Sequence, residues 1–148
     1  MAATYLDLTC HIIFATKHRQ PWIADPWRQR LHAYIGGSIR EHGAVPIAIG
    51  GAADHLHLLI GLRGTHAVAN IVRDIKTAST KWVKETYGLP PLAWQDGYAA
   101  LPVSSDRKNI FVTYIANQEE HHQKGSSKDE LESILVEAGI PFDRTYFE

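Results

Sequence analysis

Residues 54–59 read Asp-His-Leu-His-Leu-Leu, and this stretch restricts the fold more than any other. Alternate side chains of a β-strand point to opposite faces of its sheet. Over 55–62, HLHLLIGL, that rule puts Leu56, Leu58 and Ile60 on one face and His55 and His57 on the other. The leucine face must be covered by helices, so the two imidazoles stand on the face those helices leave open. The same period of two recurs at 6–15, LDLTCHIIFA, where Leu6, Leu8, Cys10, Ile12 and Phe14 share a face.

The remaining elements follow from local signals. Asp25-Pro26 reads as an N-cap followed by proline at the first helical position, opening a helix that runs to about Glu41 and stops at Gly43. Residues 44–50 read as a short strand, with Pro46 at an edge or a strand start. A long helix covers 66–87, with Ala67, Val68, Ile71, Ile75, Ala78, Trp82 and Val83 as its apolar face. Residues 94–104 read as a hairpin around Asp96-Gly97, with Pro102 at an edge. A further helix spans about Asp106 to Gln123. Ser127 with Glu130 forms a capping box that opens a last helix, 128–138, closed by Gly139 and Pro141.

The order β-α-β-β-α-β(β)-α-α is that of the split βαβ, ferredoxin-like arrangement. The expected fold is α+β: an antiparallel sheet, two helices on one face, and added helices at the C-terminus. With 148 residues, no repeat and no dividing linker, residues 1–148 are expected to form a single domain. No apolar run approaches the roughly 18 residues of a membrane span. The first residues carry no secretory pattern, and the single cysteine, Cys10, has no internal disulfide partner. The expected location is cytoplasmic, with no membrane partner. A net charge of −1 gives no basic excess of the kind nucleic-acid binders often carry, but affinity depends on where the positive charge sits.

Nine histidines is a high number for this length, and four of them stand in two tight pairs, His55 with His57 and His121 with His122. His55 and His57 have Cβ atoms about 7 Å apart by the strand rise, and two such imidazoles can converge on one divalent metal or simply be hydrogen-bonded surface residues. Two ligands are too few for a closed site. A third is available in the helical run YIANQEEHH, where Tyr114 and Gln118 lie i, i+4 on one face. A carboxamide oxygen suits a hard cation such as Mg2+ or Mn2+. If this helix lies over the open face of the sheet, Gln118 completes the site and Tyr114 sits one turn away. Asp54 is either an orienting partner for one imidazole or a turn residue.

The combination of DHLHLL with a later helical YIANQEEHH, preceded by FATKHR and WQDGY, resembles the single-tyrosine HUH transposases of bacterial insertion sequences and their REP-associated tyrosine transposase relatives, over nearly the whole chain. The resemblance implies a ferredoxin-like sheet. It also implies a divalent metal on His55, His57 and Gln118, and Tyr114 as nucleophile. It implies homodimers whose tyrosine helix can complete the partner's site, and recognition of single-stranded DNA hairpins at element ends. The implied activity is metal-dependent DNA strand transfer through a 5′-phosphotyrosine and a free 3′-OH. One segment departs from the family pattern: GYAALPVS carries Leu101-Pro102 where relatives tend to have an aromatic and Ser-Val.

Substrate contacts are less defined. Lys17, His18, Arg19, Arg73, Lys76, Lys81 and Lys84 could meet phosphates or form an ordinary solvated face. Trp22, Trp27 and Trp94 could stack on bases or pack the core. Two other functions stay open at this point. One is a catalytically inactive ferredoxin-like module that binds single-stranded nucleic acid. The other is a metal-dependent phosphoesterase using water, although a second His motif of the kind such enzymes need is not found.

Overall fold

The computed structural model describes residues 3–88, 92–121 and 125–147. Four strands form one antiparallel sheet: β1 (Leu8–Ala15), β2 (Val45–Gly51), β3 (His55–Leu62) and β4 (Ala99–Pro102), in the order β2-β3-β1-β4. With α1 (Asp25–Glu41) between β1 and β2, and α2 (Val68–Tyr87) between β3 and β4, this is the expected ferredoxin-like arrangement. Three helices follow: α3 (Lys108–Ala116), α4 (Gln118–His121) and α5 (Ser127–Ala138). No described helix is long and apolar enough to cross a membrane.

Strand parity divides the molecule into two layers of contacts. Cys10, Ile12 and Phe14 pair with Ile60, Leu58 and Leu56 across β1 and β3, so all six share the face covered by α1 and α2. Leu31, Ile35 and Ile39 of α1 and Ile71 and Ile75 of α2 complete that core, each no more than 1% exposed. At about 1.5–3 kcal/mol per fully buried aliphatic side chain, this layer supplies most of the stabilisation. Trp27 stacks on Tyr87, and Trp94 meets Phe14 edge-on while its indole N–H donates to Ser79, so both are core residues and not base-stacking platforms.

The opposite face carries Leu59, His57 and His55 of β3 and their β1 partners His11, Ile13 and Ala15. A smaller apolar cluster of Leu59, Val103 and Ile115 seats α3 on this side. The face is therefore not left open: α1 and α2 cover one side, and the C-terminal helices close over the other.

Several boundaries differ from the sequence reading. The 94–104 segment is not a hairpin. Trp94 makes a lone bridge to Thr16, Gln95 bonds both ways to the backbone of Ala15, and only Ala99–Pro102 forms a strand, paired to β1. Lys76 explains this. Its ammonium donates to the carbonyls of Gln95 and Gly97, at 2.7 and 2.8 Å, and holds that turn against α2. Pro102 ends an edge strand, where a missing N–H costs no ladder bond. The helix expected over 106–123 breaks at Asn117, which leaves the helical region and separates α3 from α4. Its expected end at Gln123 lies outside the described residues, as do His122 and the side chain of His121. The capping box is displaced too. Ser126 caps α5 by accepting from the Asp129 N–H, and Ser127 and Glu130 have other partners.

Gly50 sets the distance between the two layers on the histidine side. It pairs with His57 across β2 and β3, and a Cβ there would collide with the backbone carbonyl of Ile115 in α3. Only a residue without a side chain lets the tyrosine helix settle this low. Gly50→Ala is expected to lower unfolding free energy by about 1–3 kcal/mol, read by denaturant titration, because the obstacle is backbone and not a side chain that can swing away.

Candidate metal and tyrosine site

The site begins with the two imidazoles of β3. His55 and His57 are 1% and 0% exposed, with ring centroids 5.1 Å apart and planes nearly perpendicular. Each has one ring nitrogen fixed from behind. His55 Nδ1 lies 2.7 Å from Asp54 Oδ1, and His57 Nδ1 lies 2.8 Å from His11 Nε2. Asp54 is thus an orienting partner and not merely a turn residue. Burial pushes its carboxyl up, but hydrogen bonds from His55 and Ser127 and the nearby charge of Arg19 outweigh this and hold it below the usual range. His11 stacks on His57 at 5.0 Å and is pushed down to about 3 by burial and by its neighbour, so it stays neutral.

The other nitrogens face forward. His55 Nε2 lies 2.9 Å from Gln118 Oε1, and His57 Nε2 lies 2.9 Å from Glu130 Oε1. Gln118, 1% exposed, has its amide orientation set by its own N–H2, which donates to Glu130 Oε2 at 3.1 Å. Its helix is anchored next door. Glu119 pairs with the buried guanidinium of Arg28 on α1 at 2.6 Å, and Arg28 also donates to the Ile23 carbonyl.

Tyr114 occupies the remaining side. Its ring stands 5.8 Å from that of His57, at right angles, and its hydroxyl donates to Glu130 Oε2. Burial, the hydrogen bond to Glu130 and the charge of Glu130 all push the phenol well above its usual range. The structure therefore brings together His55, His57, Gln118 and Tyr114 within one chain. It adds two residues that the sequence reading missed. Glu130 was read as a capping residue. His11 carried a usable signal, because it has the opposite parity to Ile12 and Phe14 in a strand next to β3.

The donor set fits a divalent cation. With Nδ1–H of His55 committed to Asp54, its Nε2 presents a lone pair to the Gln118 carbonyl oxygen, another acceptor. A shared cation or an additional proton reconciles two acceptors at this distance. The ligand atoms of His55, His57 and Glu130 all lie within 4.8 Å of one another, and all three residues are buried. Two imidazoles with an amide and a carboxylate oxygen form a mixed nitrogen and oxygen set of the kind that holds a divalent metal ion.

Of the basic residues, Arg19 is spent on structure. It donates to the Phe147 carbonyl and to Ser127, whose hydroxyl donates in turn to Asp54. Arg73 pairs with Asp74, and Lys81 lies 4.0 Å from Glu85. Replacing Glu130 by Gln removes the negative charge but keeps an acceptor. The Tyr114 phenol of Glu130→Gln is therefore expected to ionise at lower pH than in the parent protein, nearer the ordinary value of about 10. Ultraviolet pH titration in the absence of metal, with Tyr114→Phe as the subtraction control, measures it.

Comparison with known proteins bears on the fold and the family. The family described as "Transposase IS200 like" matches residues 4–118, from before β1 to Gln118. No curated protein matches the chain. Among solved structures, the chain is similar to a candidate transposase from Deinococcus radiodurans, at 24% identity and a TM-score of 0.64, over 80% of this chain and 95% of that one. It is also similar to a REP-associated tyrosine transposase bound to a REP hairpin, at 18% identity and a TM-score of 0.61, over 82% of this chain and 73% of that one. At these identities the two structures establish the shared fold alone, and the family match covers well over half the sequence: the chain belongs to the IS200-like transposases.

Proposed function

We propose that this transposase cleaves and rejoins single-stranded DNA at element ends by transesterification through Tyr114. The observation that carries the reading is the shared carboxylate: Glu130 meets the Tyr114 hydroxyl, the His57 imidazole and the Gln118 amide at once. In the reaction the Tyr114 oxygen attacks the phosphorus, the bond from phosphorus to the 3′-oxygen breaks, and the products are a 5′-phosphotyrosine and a 3′-OH. The Tyr114 proton passes to Glu130, which already accepts its hydrogen bond, and the leaving 3′-oxygen is protonated from solvent or the same carboxylate. One phosphoester replaces another, so a second 3′-OH can reverse the step and rejoin strands without a nucleotide cofactor.

His55, His57 and Gln118, with Glu130 in reach, would hold a divalent cation, Mg2+ or Mn2+, which supplies Lewis-acid stabilisation of charge on the scissile phosphate. The residues behind them do the positioning. Asp54 and His11 hold the imidazole rings, and Arg28 holds the turn that carries Gln118.

Single-stranded DNA with hairpin ends is the partner that family membership and the hairpin-bound structural relative support. A homodimer is supported by the family alone. Because Tyr114 stands beside the histidines of its own chain, one subunit has every group the first cleavage needs. One observation favours a second reading, an inactive module that binds single-stranded nucleic acid: Glu130 occupies the nucleophile's hydroxyl and keeps the phenol protonated.

Incubation with DNA hairpins and Mn2+, followed by a denaturing gel, separates these readings. The parent chain is expected to form a covalent protein–DNA species that Tyr114→Phe does not form and that His57→Ala reduces by at least about 100-fold, the usual scale for an essential metal ligand. Cleavage that survives in Tyr114→Phe would assign water as the nucleophile. Binding with no adduct under any condition would favour the inactive module.

A further inference from the structure

A cavity of about 460 Å3 opens beside His55 and Glu130. One wall is the turn at 95–98 next to β4; the other is α5 with the segment that follows it to Phe147. Both walls are held in place. Lys76 grips the carbonyls of Gln95 and Gly97, Gln95 is bonded twice to Ala15, and Arg19 ties Phe147 and Ser127 to the end of β1. The volume lies in the range of sites that enclose a small ligand.

The lining chooses among the parts of a DNA strand. Leu131 and Leu135 give apolar surface, and Tyr98 and Tyr146, 39% and 80% exposed, give aromatic surface at the mouth. The charged residues are Glu130, Asp96 and Asp143 against one arginine, Arg19, which is already committed. Three carboxylates facing one guanidinium repel a phosphate. A nucleobase is uncharged, has two apolar faces, and has a polar rim that the Asp96 carboxylate and the side-chain NH2 of Gln95 can meet.

We infer that this cavity receives one unpaired nucleobase of the DNA strand, with the adjoining phosphate left at the histidines. The inference rests on the proposed DNA-strand reaction and adds to it a protein-built subsite that fixes which phosphate is presented to Tyr114. Extruding a base into the cavity and holding it there sets the register of the strand, as positioning requires.

Binding without cleavage tests this independently of Tyr114 chemistry. The full chain, in EDTA, is titrated by fluorescence anisotropy with a DNA hairpin bearing an unpaired flank in which one abasic unit is moved position by position. One position is expected to weaken binding by about tenfold while its neighbours change little, the scale of losing one stacked base. Leu131→Trp, which fills the cavity, is expected to erase that position effect, and Tyr98→Ala, a milder change at the mouth, to reduce it. A uniform cost along the flank, or a position effect that both variants leave intact, would overturn the subsite while leaving the proposed reaction standing. Failure to bind any hairpin would overturn both. The denaturing-gel assay reports on Tyr114 separately.

Discussion

The period-two alternation of β3 is the constraint on which the rest of this structure depends. It sends Leu56, Leu58 and Ile60 into the layer under α1 and α2 and leaves His55 and His57 on the other face. The apolar half supplies the free energy that holds the strand in register. The polar half inherits that rigidity, because a one-residue slip would exchange the two sets entirely. Two buried imidazoles are costly to place unless their ring nitrogens are satisfied. That cost is met by Asp54 on one ring, from the turn just before β3, and by His11 on the other, from β1.

The site is completed from a different part of the chain. α3 and α4 bring Tyr114 and Gln118 to the sheet, and the approach is close only because β2 has Gly50 opposite His57. α5 then contributes Glu130, which lies beyond the residues matched by the family. A buried carboxylate between an imidazole, an amide and a phenol has opposing effects. It is a ready proton acceptor, and a further oxygen for a cation. Without a cation its charge disfavours the tyrosinate. In the proposed reaction the same side chain would keep Tyr114 protonated in the metal-free protein and would receive its proton once positive charge is present.

Much of this was legible in the sequence, and the limits have physical causes. β1, β3, α1 and α2 were readable because each has a strong period or clear end signals: β3 over 55–62 and α1 over 25–41 agree with the observed bounds. His55, His57, Gln118 and Tyr114 could be chosen as a set because strand parity and i, i+4 spacing are local. What failed depended on contacts between distant segments. The 94–104 stretch has hairpin chemistry, yet Lys76, nineteen residues from Gln95, holds the turn elsewhere. Ser127 and Glu130 have capping-box spacing, yet both side chains are drawn to the sheet, by Asp54 and Arg19 in one case and by His57 and Tyr114 in the other. His11 was hidden in a different way: its parity was visible, but its neighbour on β3 became known only with the strand order.

The most direct measurement is an anomalous-scattering map from crystals of the full chain soaked in Mn2+. One peak is expected between the Nε2 atoms of His55 and His57, within bonding distance of Gln118 or Glu130, and absent from crystals of His57→Ala. A map with no peak there, or with Mn2+ bound elsewhere and indifferent to that substitution, would contradict a shared cation at the histidine pair.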